Sequence, residues 1–461
     1  MKKVWKKTMA AVLTTSMVAA SLAGCSSGGK NNSPSETADT KGGQTETTAA
    51  SATDSVTALG FAWWGNQPRN EATQKAIDLF NQQNPEIKVG TQFFLWDDYW
   101  NKMATSAAGK SLPDIIQMDY SYISQYAGKE QLLDLTPYIK DGSLDTSNIS
   151  ENVMAMGKIG DGVYGIASGV NSPTLFYNKT VTDQAGVTIK DNMTLEEFIE
   201  IAKQVKEKTG YYANLVDNYS LYYDQFTRAR EIPIVGQELG AKSAEDYIPY
   251  FQLEKEAIDE GWQLPPDIAS AGTGLEQDPM VYGSSPETMS WCKINGSNLL
   301  SAYQNAAPEG TEISLTTVPS EDIKKSNYLK PSMLFSISAK TQHPKEAVKL
   351  LNYMINSSDF YNIMFADRGI PANSKVAEEI MPKLSKEDQA VTNYINKVIT
   401  PNCTPIAPPN ADGYNEQADL LRKIDQKVQY KEMTPEEAAK EYFTKGNEIF
   451  AEAAKKAQGS K

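Results

Sequence analysis

The chain has 461 residues, with 44 Lys and Arg against 58 Asp and Glu, a formal charge of −14, 40% apolar residues, three Cys and a single His. That length suits about two or three domains of roughly 150 residues, and three Cys are too few for a disulfide scaffold. The acidic balance speaks against nucleic-acid binding, which needs clustered Lys and Arg, and the lone His343 excludes two-His zinc sites and bis-histidine haem sites.

Lys2, Lys3, Lys6 and Lys7 open the chain, and residues 9–22 are rich in Ala, Val, Met and Leu, interrupted by Thr and Ser. That stretch is too short for a membrane span, which takes about 20 apolar residues. The L-A-G-C that follows at 22–25 resembles the lipobox of bacterial lipoproteins. The resemblance implies a signal peptide over 1–24 and lipidation of Cys25. The protein would then be anchored at the outer face of the cell membrane without a spanning helix. An ordinary signal peptide with an incidental Cys is the alternative. Residues 25–55 are dominated by Ser, Thr, Gly, Asn and Ala with no aromatic residue, so they read as a flexible tether. Cys292 and Cys403 have no spacing that signals a bridge, and two separate thiols are expected.

From Val56 strand-like and helix-like segments alternate. Residues 56–61 form an apolar run. Residues 70–84 carry Ala76, Ile77 and Phe80 at helical spacing and stop before Pro85. Residues 87–94 read as a strand, 97–108 as a helix closed by Gly109, and 115–118 as a third strand. This βαβαβ rhythm predicts a parallel sheet flanked by helices, with ligands at the carboxyl ends of its strands. Further on, Thr194 and Glu197 form a capping box and Gly210 a stop. Pro344 opens another helix, and Thr434 with Glu437 caps a C-terminal one. The stretch 211–277 is rich in Tyr and shows no clear periodicity.

The loops after the first three strands share one chemistry. The first holds Trp63, Trp64, Asn66 and Arg69; the second Trp96, Asp97, Tyr99 and Trp100; the third Asp119, Tyr120 and Tyr122. Aromatic rings beside Asp, Asn and Arg suit a sugar: the ring stacks on the C–H face, and the polar groups meet the hydroxyls in the plane. Arg69 also suits a carboxylate held in a fork. Each residue has a plainer alternative. The Trp residues fit a core, Asp97 and Asp119 fit helix N-caps, and Trp100 and Tyr122 fit the buried faces of helices. Enzyme motifs are missing: there is no G-x-S-x-G, H-E-x-x-H or P-loop. With 58 acids, a carboxylate pair for glycoside hydrolysis carries no information.

These loops resemble those of the extracellular solute-binding proteins of bacterial ABC sugar importers, the maltose-binding-protein-like group. The general signals are the W-W-G loop at 63–65, W-D-D-Y at 96–99, S-L-P-D-I-I-Q-M-D at 111–119, L-L-D-L-T-P-Y at 132–138 and L-F-Y-N-K at 175–179. Nearer still is the subgroup of lipoproteins that bind pectin-derived, rhamnogalacturonan-type oligosaccharides. That likeness rests on W-W-G-N-Q-P-R at 63–69, W-D-D-Y-W at 96–100, G-V-N at 169–171, L-K-P-S-M-L-F-S-I at 329–337 and R-G-I-P at 368–371.

The resemblance implies an α/β, two-lobed periplasmic-binding-protein-like fold (type II), with two parallel-rich sheets flanked by helices and a three-segment hinge. The N-terminal lobe would be 56–167 plus 332–368, and the C-terminal lobe 168–331 plus 369–457. The hinge crossings would fall near 168–171, 330–332 and 368–371. The implied function is capture of an oligosaccharide, a uronate-containing one being an option, and its delivery to an ABC permease by a monomer without catalysis, cofactor or metal. A non-sugar solute such as a peptide, or a glycoside-active lipoprotein, are the rival readings. Carried onto this chain, the ligand residues are Trp63, Trp64, Asn66, Arg69, Trp96, Asp97, Tyr99, Asp119 and Tyr122 in the N-lobe, and Asn171 and Arg368 at the hinge. The C-lobe supplies Asn295, Ser297 and Asn298, with Tyr223 and Asp224 as weaker candidates. The aromatic that the pectin binders show beside that Asn is replaced here by Ile294 and Gly296.

Overall fold

The computed structural model describes residues 56–216, 219–234, 238–269, 277–283, 285–407 and 412–459. The expected signal peptide, Cys25 and the tether lie outside the described residues. Among the described residues, no helix is long and apolar enough to cross a membrane.

The chain begins with the expected alternation: β1 (Thr57–Trp64), α1 (Gln67–Gln83), β2 (Ile87–Phe94), α2 (Trp96–Ala108), β3 (Ile115–Met118) and α3 (Tyr120–Gly128). Both β2 and β3 pair with β1 in parallel. The start of α1 is set locally. The Asn66 side chain accepts from the Arg69 backbone N–H at 3.1 Å, and a proline occupies the first turn. Helices cover both faces of the sheet, so β1 is buried on both sides. Trp63 therefore enters one core, with Phe61, Ile77 and Phe80, while its neighbour Trp64 enters another, with Tyr99, Trp100 and Met118.

A short hairpin, β4 (Lys158–Ile159) and β5 (Gly162–Val163), precedes β6 (Ile166–Asn171) and β7 (Pro173–Asn178). Then come β8 (Cys292–Gly296), β9 (Ile313–Thr316), β10 (Lys330–Ile337) and β11 (Ile370–Pro371). The larger sheet has the order β11-β6-β10-β3-β1-β2. The smaller has the order β8-β7-β9, and its strand pairs are antiparallel. The expected two-sheet α/β fold is thus present. The parallel-rich character holds for β1–β3 only, because β10 and β11 pair antiparallel in the larger sheet and β7 pairs antiparallel with both β8 and β9 in the smaller.

Three separate stretches of chain lie side by side where β6 meets β10 and β11. Asn171 pairs with Lys330, and Gly169 with Pro371. Glycine is required at 169, because a Cβ there would sit 2.3 Å from the Arg368 carbonyl oxygen. The Ser332 hydroxyl adds a bond to the Gly169 carbonyl at 3.0 Å.

Around the smaller sheet, the capping box at Thr194 and Glu197 starts the helix Leu195–Thr209, which Gly210 ends at φ 80°. The Tyr-rich stretch contains the helices Tyr219–Ala229 and Ile248–Asp259, which pack with Tyr414–Gln429 and Pro435–Gly459. Their core is aromatic. Tyr223 stacks on Tyr247 with ring centroids 6.3 Å apart and meets Tyr442 edge-on at 5.8 Å. Cys292 and Cys403 are free thiols.

One polar pair interrupts this core. Glu254 and Asp425 are fully buried, neither carboxylate oxygen of Glu254 accepts a hydrogen bond of good geometry, and Tyr250 donates to Asp425 Oδ2 at 3.3 Å. Burial raises the pKa of both carboxyls, and the Asp425 charge raises Glu254 further. The folded protein therefore binds more protons here than the unfolded chain. The stabilising contribution is full below the ordinary carboxyl range and is lost as pH rises through the raised values. Glu254→Gln should raise the melting temperature at pH 8 by about 1 °C for each kcal/mol of relieved burial cost, with little change at pH 4. Thermal unfolding at the two pH values checks it.

Candidate functional site

A cavity of about 620 Å³ opens where the loops after β2 and β3 face the ends of β6 and β8. From the larger sheet it receives Trp96, the first residue of α2, with Asp119 and Tyr120 at the start of α3. Asn171 at the end of β6 and Lys330 and Ser332 on β10 form its floor. The opposite wall carries Asn295, Gly296 and Asn298 at the end of β8, Asp224 and Arg228 on the helix Tyr219–Ala229, and Tyr328. Tyr414, Ile406 and Ala407 complete it.

Trp96 is 41% exposed, unlike the other tryptophans of the described chain, all of which are buried. Its indole is supported from behind. Trp64 meets it edge-on at 5.0 Å and Trp100 at 5.7 Å, and Trp100 in turn stacks on Tyr122 at 3.9 Å. A flat apolar ring is thus held rigidly at the cavity wall.

The polar groups are similarly fixed. Asn295 donates to the Tyr303 hydroxyl at 3.2 Å and accepts from the Gly296 N–H at 2.9 Å. Asp119 accepts from the Ser121 N–H at 2.8 Å, so it is at once the cap of α3 and a cavity residue. Asn171 Oδ1 is buried without a hydrogen-bond partner, an acceptor in want of a donor. Tyr328 donates to Asp224 Oδ2 at 3.1 Å, and the Arg228 guanidinium lies 4.5 Å from the Tyr328 ring centre. Burial pushes the Asp224 carboxyl up to about 6, against the lowering effects of the Tyr328 hydrogen bond and the charges of Arg228 and Lys330.

Trp96, Asp119, Asn171, Asn295 and Asn298, with Asp224, are the sequence-derived residues that the fold brings together here. Others lie elsewhere, each for a physical reason. Trp63 is fully buried and its indole N–H donates to Asn70 at 2.9 Å. Trp64 packs behind Trp96 instead of lining the cavity. Asn66 is spent on the cap of α1, and Asp97 is an exposed first-turn residue of α2. Tyr99 is buried and donates to the Gln117 carbonyl. Tyr122 is stacked on Trp100, and Tyr223 sits in the aromatic core. Ser297 is buried and accepts from the Ser172 N–H.

Both arginines expected among the ligand residues serve the protein itself. Arg69 Nε pairs with Asp367 at 2.7 Å and its Nη2 donates to the Asp367 carbonyl. Arg368, 1% exposed, donates to Gln117 Oε1 at 3.0 Å and to Thr73 Oγ1 at 2.9 Å. The cations that do reach the cavity are Arg228 and Lys330. Lys330 stood in the hinge motif and Tyr120 beside Asp119, so both had a signal in the sequence. Arg228, Tyr328 and Tyr414 had none.

A family model described as bacterial extracellular solute-binding protein matches residues 75–393. An arabinooligosaccharide-binding protein of Halalkalibacterium halodurans is 28% identical over 141 residues, 30% of this chain and 31% of that one. A second arabinooligosaccharide-binding protein, from Bacillus subtilis, is 24% identical over 32% of this chain and 35% of its own. The chain thus matches about a third of the length of these curated relatives. Among solved structures, an extracellular solute-binding protein family 1 from Alicyclobacillus acidocaldarius superposes with a TM-score of 0.76 at 26% identity, covering 86% of this chain and 98% of that one. A periplasmic oligogalacturonide-binding protein from Yersinia enterocolitica shares the fold at a TM-score of 0.71 and 19% identity, over 86% and 99% of the two chains.

Two substitutions separate scaffold from site. Trp63→Ala should cost about 3–5 kcal/mol of stability. Arg368→Met, which leaves Gln117 and Thr73 without their buried donor, should cost about 1–3 kcal/mol. Denaturant unfolding measures both.

Proposed function

Because the chain belongs to the bacterial extracellular solute-binding proteins, we propose that it captures an oligosaccharide in the cavity between its two sheets and passes it to an ABC permease. The observation that carries this reading is a single exposed indole, Trp96, facing fixed amides and charges across the cavity. A sugar offers both an apolar C–H face and a rim of hydroxyls, and this wall answers both. The arabinooligosaccharide-binding relatives support the same class of solute.

The lobes of this reading are 56–167 with 332–368, and 168–331 with 369–457. The three stretches that pair at β6, β10 and β11 are its hinge, and rotation about them closes the cavity on the ligand. The side-by-side pairing of Gly169, Pro331 and Pro371 with their neighbours supports it. Asn171 then meets the ligand from the hinge, and Asn295 and Asn298 from the far lobe. The protein performs binding without turnover, acts as a monomer, and is tethered at the outer membrane face through lipid on Cys25.

Trp96→Ala should weaken oligosaccharide binding by about tenfold or more, near 1.4 kcal/mol, while the melting temperature stays within about 2 °C. Titration calorimetry with arabino- and galacturono-oligosaccharides reads the first, and calorimetric unfolding the second. Unchanged affinity would remove Trp96 from the site, and new sugar products on incubation would overturn binding without turnover. For the anchor, Cys25→Ser should move the protein from the membrane fraction to the medium; membrane retention of that variant would refute lipidation at this residue.

A further inference from the structure

Resting on the oligosaccharide reading, a narrower feature of the cavity concerns the charge of its ligand. Asp224 and Arg228 lie one turn apart on the helix Tyr219–Ala229, and both line the cavity. Arg228 is only partly occupied. Its Nη2 donates to Thr404 Oγ1 and to the Pro405 carbonyl, whereas its Nε is buried without a hydrogen-bond partner. Lys330 projects from the first position of β10 into the same cavity. Tyr328 donates to Asp224 Oδ2, and the charges of Arg228 and Lys330 offset part of the cost of burying that carboxyl without a direct ion pair. The remaining groups around this corner are Tyr414, which feels the Asp224 charge, and Tyr120 and Cys403, which face Arg228. Asp119 is the other carboxylate of the cavity.

We propose that Asp224 is a built-in gate against an anionic ligand: ionised, it repels a second carboxylate from the corner of the cavity lined by Arg228 and Lys330, and protonated, it admits a carboxylate-bearing oligosaccharide there. A ligand carboxylate drawn into the cavity toward Arg228 and Lys330 would share that corner with Asp224, and two carboxylates sharing one site cannot both stay ionised cheaply. The corner is partly buried, so solvent screens this repulsion weakly. Binding of an anionic sugar is therefore linked to uptake of one proton by Asp224, and a neutral sugar of the same size has no such linkage.

The sign and size follow from the titration of Asp224 near 6. A uronate carboxyl, with a pKa near about 3.5, stays ionised at both pH 5.0 and pH 7.5. Asp224 passes from mostly protonated to about 3% protonated between those values. If only the protonated form accepts the anion, affinity falls by up to about thirtyfold across the interval.

The test uses the full-length protein in detergent, titrated calorimetrically with digalacturonate and with neutral galactobiose at pH 5.0 and 7.5. Digalacturonate should bind about ten- to thirtyfold more tightly at pH 5.0, and at pH 7.5 its binding should take up close to one proton, read from buffers of different ionisation enthalpy. Galactobiose should show no pH dependence. In Asp224→Asn the digalacturonate affinity should be flat with pH and as tight as the acid value. Equal digalacturonate affinity at the two pH values, or a pH slope that survives Asp224→Asn, would overturn the proposal. Binding of galactobiose alone would overturn it while leaving the oligosaccharide reading intact, and binding of neither sugar would overturn both.

Discussion

The larger sheet depends on a guanidinium removed from water. Arg368 is almost wholly buried, and a charge in that position persists only if its hydrogens are satisfied. Gln117 on β3 and Thr73 on α1 supply the acceptors. The cost of its burial is visible in the group itself, whose pKa is lowered chiefly by desolvation and secondarily by the charge of Arg69. Because Gln117 also donates to the Trp64 carbonyl at 3.1 Å, the same network reaches the end of β1. Three stretches remote in sequence, near 73, 117 and 368, are thus locked in one geometry. Outside it, Arg69 and Asp367 close the turn as a partly exposed ion pair.

That lock gives the wall of the cavity a fixed frame. Trp96 stands on a stack of rings that leads back to Trp64 and so to β1. Of the crossing stretches, β11 meets β6 through two residues, Ile370 and Pro371, whereas β10 meets β6 over five registered pairs. Their contact is close, since Gly169 leaves room for no side chain against the Arg368 carbonyl.

The βαβαβ opening and the helix caps at 194 and 434 were legible because their signals are local: periodicity, a capping pair, a proline in the first turn. The direction of β7–β9 was not, because strand pairing is decided by partners more than a hundred residues away. The cavity was partly legible. Trp96 and Asp119 follow strands that end at one edge, and that topology places them. Trp63 and Trp64 show the limit. Adjacent residues on a strand buried on both faces point into different cores, and no property of the dipeptide tells a core indole from a cleft indole. Arg69 and Arg368 were misread for a related reason. An arginine that suits a sugar acid suits Asp367 or Gln117 equally well, and those partners lie 298 and 251 positions away. The helix carrying Arg228 was hidden because its sequence, Y-S-L-Y-Y-D-Q-F-T-R-A, mixes tyrosines that are core with a charged face that is not.

The distribution of the indoles has an optical consequence. Beyond residue 55 the chain has six tryptophans, and five are buried at 9% exposure or less. Their emission should stay blue and insensitive to solutes in the cavity. Trp96 alone meets water, so it supplies the red edge of the spectrum. Its nearest neighbour indole, Trp64, lies at 5.0 Å with its plane almost perpendicular. A solute that covers Trp96 therefore writes its arrival into the fluorescence of the whole protein, and the molecule carries its own occupancy gauge without an added dye.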